Sequence, residues 1–192
     1  MKNSIAFFLI TVIGMTSSTG YAAGWNVDIF AGKQESDKLE WAGGQLKTDS
    51  GRSRGIGISK QITPRTSVGF EVGYTRNEYS GFKPNYISGT TAMITTKYDF
   101  LRYGRVSAYG GLGLGYARVK YQNAINGYQN KDSVAAGQVT LGARMAVTRR
   151  SGLFLEARHI GTFRDPKIGG AGGNAGAEYK GNSVVLGWRY RF

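Results

Sequence analysis

One histidine and no cysteine among 192 residues leave very few positions able to do covalent chemistry. The histidine is His159, in Glu156-Ala157-Arg158-His159-Ile160-Gly161-Thr162. A histidine serves as general base when it reaches a nucleophile and a third group orients it. The hydroxyl nearest along the chain is Thr162, three residues on and of opposite strand parity. A multi-histidine metal site, a thiolate site and a thiol nucleophile are all excluded by composition, so no metal or cofactor is expected. The glycine-rich run from Gly169 to Gly176 is not followed by the Lys-Ser or Lys-Thr and helix of a phosphate loop, and reads as an external connection.

The remaining chemistry is charge. The formal net charge is +13, which invites a nucleic-acid reading, yet the cations are not gathered on one face. Glu35, Asp37, Lys38, Glu40, Lys47 and Asp49 nearly cancel in one segment, Glu78 opposes Lys83 in another, and Lys131 adjoins Asp132 in a third. The excess falls in short turns, at Arg65, Arg102, Arg149 and Arg150, and on the polar faces of alternating segments. A nucleic-acid partner is therefore not expected.

Those segments are strands. Apolar residues at period two define eight runs, at 25–33, 53–63, 66–76, 89–100, 105–121, 134–147, 152–163 and 181–192. The connections alternate between tight (64–65, 101–104, 148–151) and long (34–52, 77–88, 122–133, 164–180), as in a barrel with short periplasmic turns and long external loops. Parity then divides each run. Val68, Phe70, Val72 and Tyr74 share one face of the third run, with Leu112, Leu114 and Tyr116 on the fifth and Val184, Leu186 and Trp188 on the last. The opposite faces carry Asp28, Glu71, Lys97, Asp99, Arg144, Glu156, Arg158 and Arg189. Two readings of this inward set stand: a salt-bridged plug, or a narrow anion-preferring pore with a water path past Arg144, Arg158 and Arg189. Lys33, Arg76, Arg118 and Lys120 continue the outward faces at the external end; if the barrel is in an outer membrane, these cations face lipopolysaccharide phosphates. His159 has outward parity, at the level of the outer leaflet.

Alternation alone fits a soluble lipocalin-like barrel as well. Three features favour a membrane. Lys2, the apolar run Ile5–Met15 and the small residues before Ala23 form a secretory signal peptide, with cleavage after Ala22 and the barrel domain at 23–192. Its loss removes Lys2 and lowers the net charge to +12. Aromatic residues gather near run ends: Trp25, Tyr98, Phe100, Trp188, Tyr190 and Phe192 at one level, Tyr74, Tyr116, Tyr121 and Phe163 at the other. Finally, the chain ends Gly187-Trp188-Arg189-Tyr190-Arg191-Phe192. This ending resembles the last strand of bacterial outer-membrane proteins, which implies that Trp188, Tyr190 and Phe192 form the signal read by the outer-membrane assembly machinery.

Residues 24–192 as a whole resemble the small eight-stranded barrels of the OmpA, OmpX and Opa kind in strand count, loop alternation and ending. The resemblance implies an all-β, eight-stranded antiparallel up-and-down transmembrane barrel in a Gram-negative outer membrane, porin-like in build. It implies a non-enzymatic surface role, with host or other surface ligands met by loops 34–52 and 164–180, where Leu39, Trp41 and Leu46 stand among charges. The surroundings of His159 also resemble the PagL-type lipid A deacylases, in which an outward histidine works with a serine two residues on and an acid. Here Gly161 holds the serine position, and the resemblance implies His159 and Glu178 for any catalysis.

Overall fold

The computed structural model describes residues 24–36, 39–41, 44–46, 51–78, 86–123, 128–164, 167–170, 173–176 and 180–192. Residues 1–22, expected to be a signal peptide, and Glu178 lie outside them.

The described strands are, in chain order, β1 (Trp25–Ser36), β2 (Leu39–Trp41), β3 (Gly44–Leu46), β4 (Gly51–Gln61), β5 (Thr66–Glu78), β6 (Tyr86–Tyr103), β7 (Val106–Asn123), β8 (Tyr128–Ala146), β9 (Ser151–Thr162), β10 (Lys167–Gly170), β11 (Gly173–Gly176) and β12 (Lys180–Arg191). Eight of them close a barrel in the order β1-β12-β9-β8-β7-β6-β5-β4. Every neighbouring pair is antiparallel, including β1 with β12, so no backbone edge is left for lipid to meet. β2 with β3, and β10 with β11, form two small hairpins inside the segments 34–52 and 164–180.

Strand bounds differ from the periodicity where pairing outlasts the apolar pattern. β6, β7 and β8 run to 18, 18 and 19 residues. Within the expected long loop at 122–133, β7 and β8 pair out to Asn123 and Tyr128, and 124–127 lie outside the described residues. Hydrogen bonds hold those ends together, and such bonds do not require apolar side chains.

Following direct partners around the barrel from Trp25 leads through Lys60, Val68, Thr96, Leu112, Val139, His159 and Asn182 and returns to β1 at Glu35, ten residues higher. For eight strands this stagger corresponds to a tilt of roughly 40°. A register skip at Phe100 between Asp99 and Leu101 leaves Phe100 and Leu101 both exposed and allows Arg102 to turn back toward Asp99. Gly104, at φ +56°, takes the first central position of the two-residue turn between Tyr103 and Val106, a conformation that suits glycine.

Polarity is inverted relative to a soluble barrel. Ile94, Leu114 and Leu141 are 60–64% exposed on the outer wall, whereas Asp28, Lys97, Glu156 and Arg189 are buried inside. Apolar area of that extent facing water forfeits about 25 cal/mol per Å2, so the outer wall belongs in lipid. Interior packing is a matter of aromatic over glycine: Tyr109 lies opposite Gly142 and Phe154 opposite Gly187, and a Cβ on either glycine would come within 2.7 Å and 2.1 Å of the facing ring.

Candidate functional site

Inward parity on six of the barrel strands brings the predicted lumenal charges together. Arg189 of β12 grips Asp28 of the adjacent β1 with two bonds, Nε to Oδ1 at 2.6 Å and Nη2 to Oδ2 at 2.5 Å. Arg158 of β9 reaches across the lumen to Glu71 of β5, Nη1 to Oε1 at 3.0 Å and Nη2 to Oε2 at 3.2 Å. Its Nε donates to Glu156 Oε2 at 2.6 Å, and Lys97 pairs with the other oxygen of Glu156. Lower down, Arg144 lies 3.6 Å from Asp99, which also accepts from Arg102. Four carboxylates and four cations of the expected set thus stand in mutual contact and balance in charge.

Sequence reasoning placed Gln138 and Thr140 inward but gave them no charged partner, and it missed Tyr109 and Phe30; these groups link the pairs of β5, β6, β8 and β9. Tyr109 donates to Glu156 Oε1 at 2.7 Å, and Arg144 stacks 4.7 Å from the centre of the same tyrosine ring. Gln138 spans Thr140 and Glu71 at 3.3 and 3.5 Å. Phe30 carries the Arg158 guanidinium on its face at 3.8 Å. The signal was available: Tyr109 has the parity of Gly111 and Gly113, and Gln138 that of Arg144. Above the network the interior turns apolar on one side, where Met93, Ala117, Val134 and Ala136 pack with Ile160.

On the outer wall, register makes a row of the upper cations. Lys33 is the direct partner of Arg52, and Arg52 of Arg76; the row continues through Ser88 to Lys120 and Lys131. Two residues below, Arg54, Tyr74, Thr90 and Arg118 form a second row. Lys33, Arg76, Arg118 and Lys120 were expected here. Arg52 and Arg54 were not, although they share the outward parity of Ile56. The rows contain no carboxylate, and Glu35 lies two residues beyond Lys33 on the same face. Like charges directly opposite on neighbouring strands repel. Two of these arginines lie against tyrosine rings, Arg54 at 5.3 Å from Tyr74 and Arg76 at 4.1 Å from Tyr86.

His159 is exposed on the outer wall, and its Nδ1 lies 2.8 Å from the amide oxygen of Asn182, its direct partner on β12. A carboxamide holds the ring where a catalytic arrangement would place a carboxylate. Among the described residues no group of three or more His, Cys, Asp or Glu is arranged to hold a metal. At the other end, Trp188, Tyr190 and Phe192 form a ladder with centroids 5.7 and 5.0 Å apart. Trp25, Tyr98, Phe100 and Trp188 are exposed at that level, and Tyr116 and Phe163 at the upper one. The side chain of Tyr121 lies outside the described set.

The outer membrane protein beta-barrel domain family matches residues 5–192, and the chain belongs to that family. Its fold is that of Neisserial surface protein A (NspA), with a TM-score of 0.63 at 19% identity over 88% of this chain and 97% of that one. OprG of Pseudomonas aeruginosa gives 0.59 at 15% over 88% and 96%. Ail of Yersinia pestis, in complex with the heparin analogue sucrose octasulfate, gives 0.51 at 17% over 88% and 99%. At these identities the likeness is one of fold. No curated protein sequence matches the chain. The protein is an outer-membrane β-barrel.

Proposed function

We propose that this barrel is a non-enzymatic, non-conducting scaffold whose activity lies on its external surface. Residues 34–52 and 164–180, with their hairpins β2–β3 and β10–β11, meet host or other surface molecules, and the upper cationic rows fasten the barrel to lipopolysaccharide phosphates. The observation that supports this reading is the lumen: Arg158 pairs with Glu71 across it and Arg189 with Asp28 beside it, so both guanidinium groups already hold carboxylates, although Arg189 Nη1 and Arg144 Nε are buried without a partner. Unpaired charge there would cost several kcal/mol. The upper rows support lipopolysaccharide contact because Lys33 and Arg52 are like charges directly opposite on neighbouring strands, and phosphates between them would relieve the repulsion.

The test is conductance of the refolded mature protein in planar bilayers, with lipopolysaccharide in one leaflet. No discrete steps are expected, and addition of lipopolysaccharide is expected to raise the unfolding midpoint of wild type more than that of K33Q/R52Q/R76Q. Discrete anion-selective steps in wild type would overturn the scaffold reading in favour of the narrow pore. Wall-side chemistry at His159 is a distinct reading, and its orientation by Asn182 weighs against it.

A further inference from the structure

We propose that the opposite rim of the barrel is a ring of phosphate-binding sites for anionic phospholipids of the inner leaflet. This rests on the outer-membrane reading, in which the termini and short turns face the periplasm.

Arginines occur at every junction of that rim. Arg65 lies between β4 and β5, Arg105 between β6 and β7, Arg149 and Arg150 between β8 and β9, and Arg191 where β12 meets β1. All five are exposed. Because the barrel order is β4-β5-β6-β7-β8-β9-β12-β1, these junctions recur every two strands, a quarter of the way round each time. The side-chain carboxylates nearby, Asp28 and Asp99, are buried in the lumen with arginine partners, so among the described residues no exposed side-chain acid stands on the rim.

Two of these turns are built alike. In Ile62-Thr63-Pro64-Arg65-Thr66, Thr63 Oγ1 accepts from the backbone N–H of Arg65 at 3.2 Å and of Thr66 at 2.9 Å. In Val147-Thr148-Arg149-Arg150-Ser151, Thr148 Oγ1 accepts from Arg150 at 3.2 Å and from Ser151 at 2.9 Å. The first residue of each turn donates its N–H to the carbonyl of the fifth, at 2.9 Å in both. Arg65 and Arg150 therefore hold equivalent places in rigid turns on opposite sides of the barrel.

Each turn also exposes a large apolar side chain beside its arginine: Ile62, then Tyr103 and Val106, then Val147. A soluble partner would use a patch on one side of the rim. A cation and an apolar group repeated at every quarter fit an annulus of lipid, with the apolar group among acyl chains and the guanidinium at the phosphate, whose oxygens it meets two at a time. Lys60, 5.7 Å from the ring centre of Trp25, adds a cation at the same level.

The experiment uses the full mature barrel in nanodiscs of phosphatidylcholine with a minor fraction of phosphatidylglycerol, released for native mass spectrometry. Wild type is expected to retain phosphatidylglycerol over phosphatidylcholine, by about fivefold per engaged arginine, and to lose this in high salt. R65Q/R105Q/R149Q/R150Q loses most of the enrichment; the milder R149Q/R150Q loses part of it, and R149K/R150K, which keeps the charge without the two-point contact, loses less than R149Q/R150Q. The comparison is repeated on the K33Q/R52Q/R54Q/R76Q background, so that only the lower ring differs. Equal enrichment in wild type and the four-arginine variant overturns the ring. So does capture of peptidoglycan fragments with no lipid preference. A wild-type barrel that never acquires heat-modifiable gel mobility sinks the outer-membrane reading itself, and the ring with it.

Discussion

The Arg158 guanidinium lies edge-on to the Glu71 carboxylate across the lumen, two parallel bonds of 3.0 and 3.2 Å, while its third nitrogen holds Glu156. One side chain thus ties β9 to β5, strands that are not neighbours in the wall. Removing either partner strands a buried charge. R158A and E71A are each expected to destabilise the folded barrel by about 3–5 kcal/mol in urea titrations in detergent. An E71L/R158M pair should recover most of that loss. A single-variant loss below about 1 kcal/mol would mean that the bridge is solvated.

Tyr109 packs on Gly142, where an added Cβ would meet the ring at 2.7 Å and Glu156 Cγ at 2.9 Å. G142A is expected to cost about 1–3 kcal/mol, by the same titration, because ring and carboxylate are both held in the network. G161A has only Lys180 Cγ within 4 Å, at 3.9 Å, an ordinary van der Waals contact, and should be close to neutral.

For His159 the expectation is negative and measurable. Its ring meets Asn182, and Gly161 offers no hydroxyl. Expression of wild type and of H159A in a Gram-negative host should give identical lipid A mass spectra. Loss of an acyl chain with wild type, absent with H159A, would establish deacylation.

If residues 1–22 are removed as the sequence predicts, the mature protein is expected to begin at Ala23, readable by N-terminal sequencing or intact-mass measurement of outer-membrane fractions. A start at Met1 in the folded outer-membrane protein would refute it.

Strand existence, strand number and facing were legible in the sequence because each barrel strand alternates between two solvents, and period two leaves a direct trace in residue order. Asp28, Glu71, Lys97, Asp99, Arg144, Glu156, Arg158 and Arg189 were assignable to the lumen by that parity alone. Parity does not carry the stagger between strands. The ten-residue offset on closing β1 against β12 decides which inward charges share a level, and hence that Arg158 meets Glu71 on β5 while Arg189 meets Asp28 next door. The same register sets Lys33, Arg52 and Arg76 side by side and puts Asn182, not an acid, against His159. Such contacts join residues as far apart as 28 and 189, and only closure of the sheet brings them within reach.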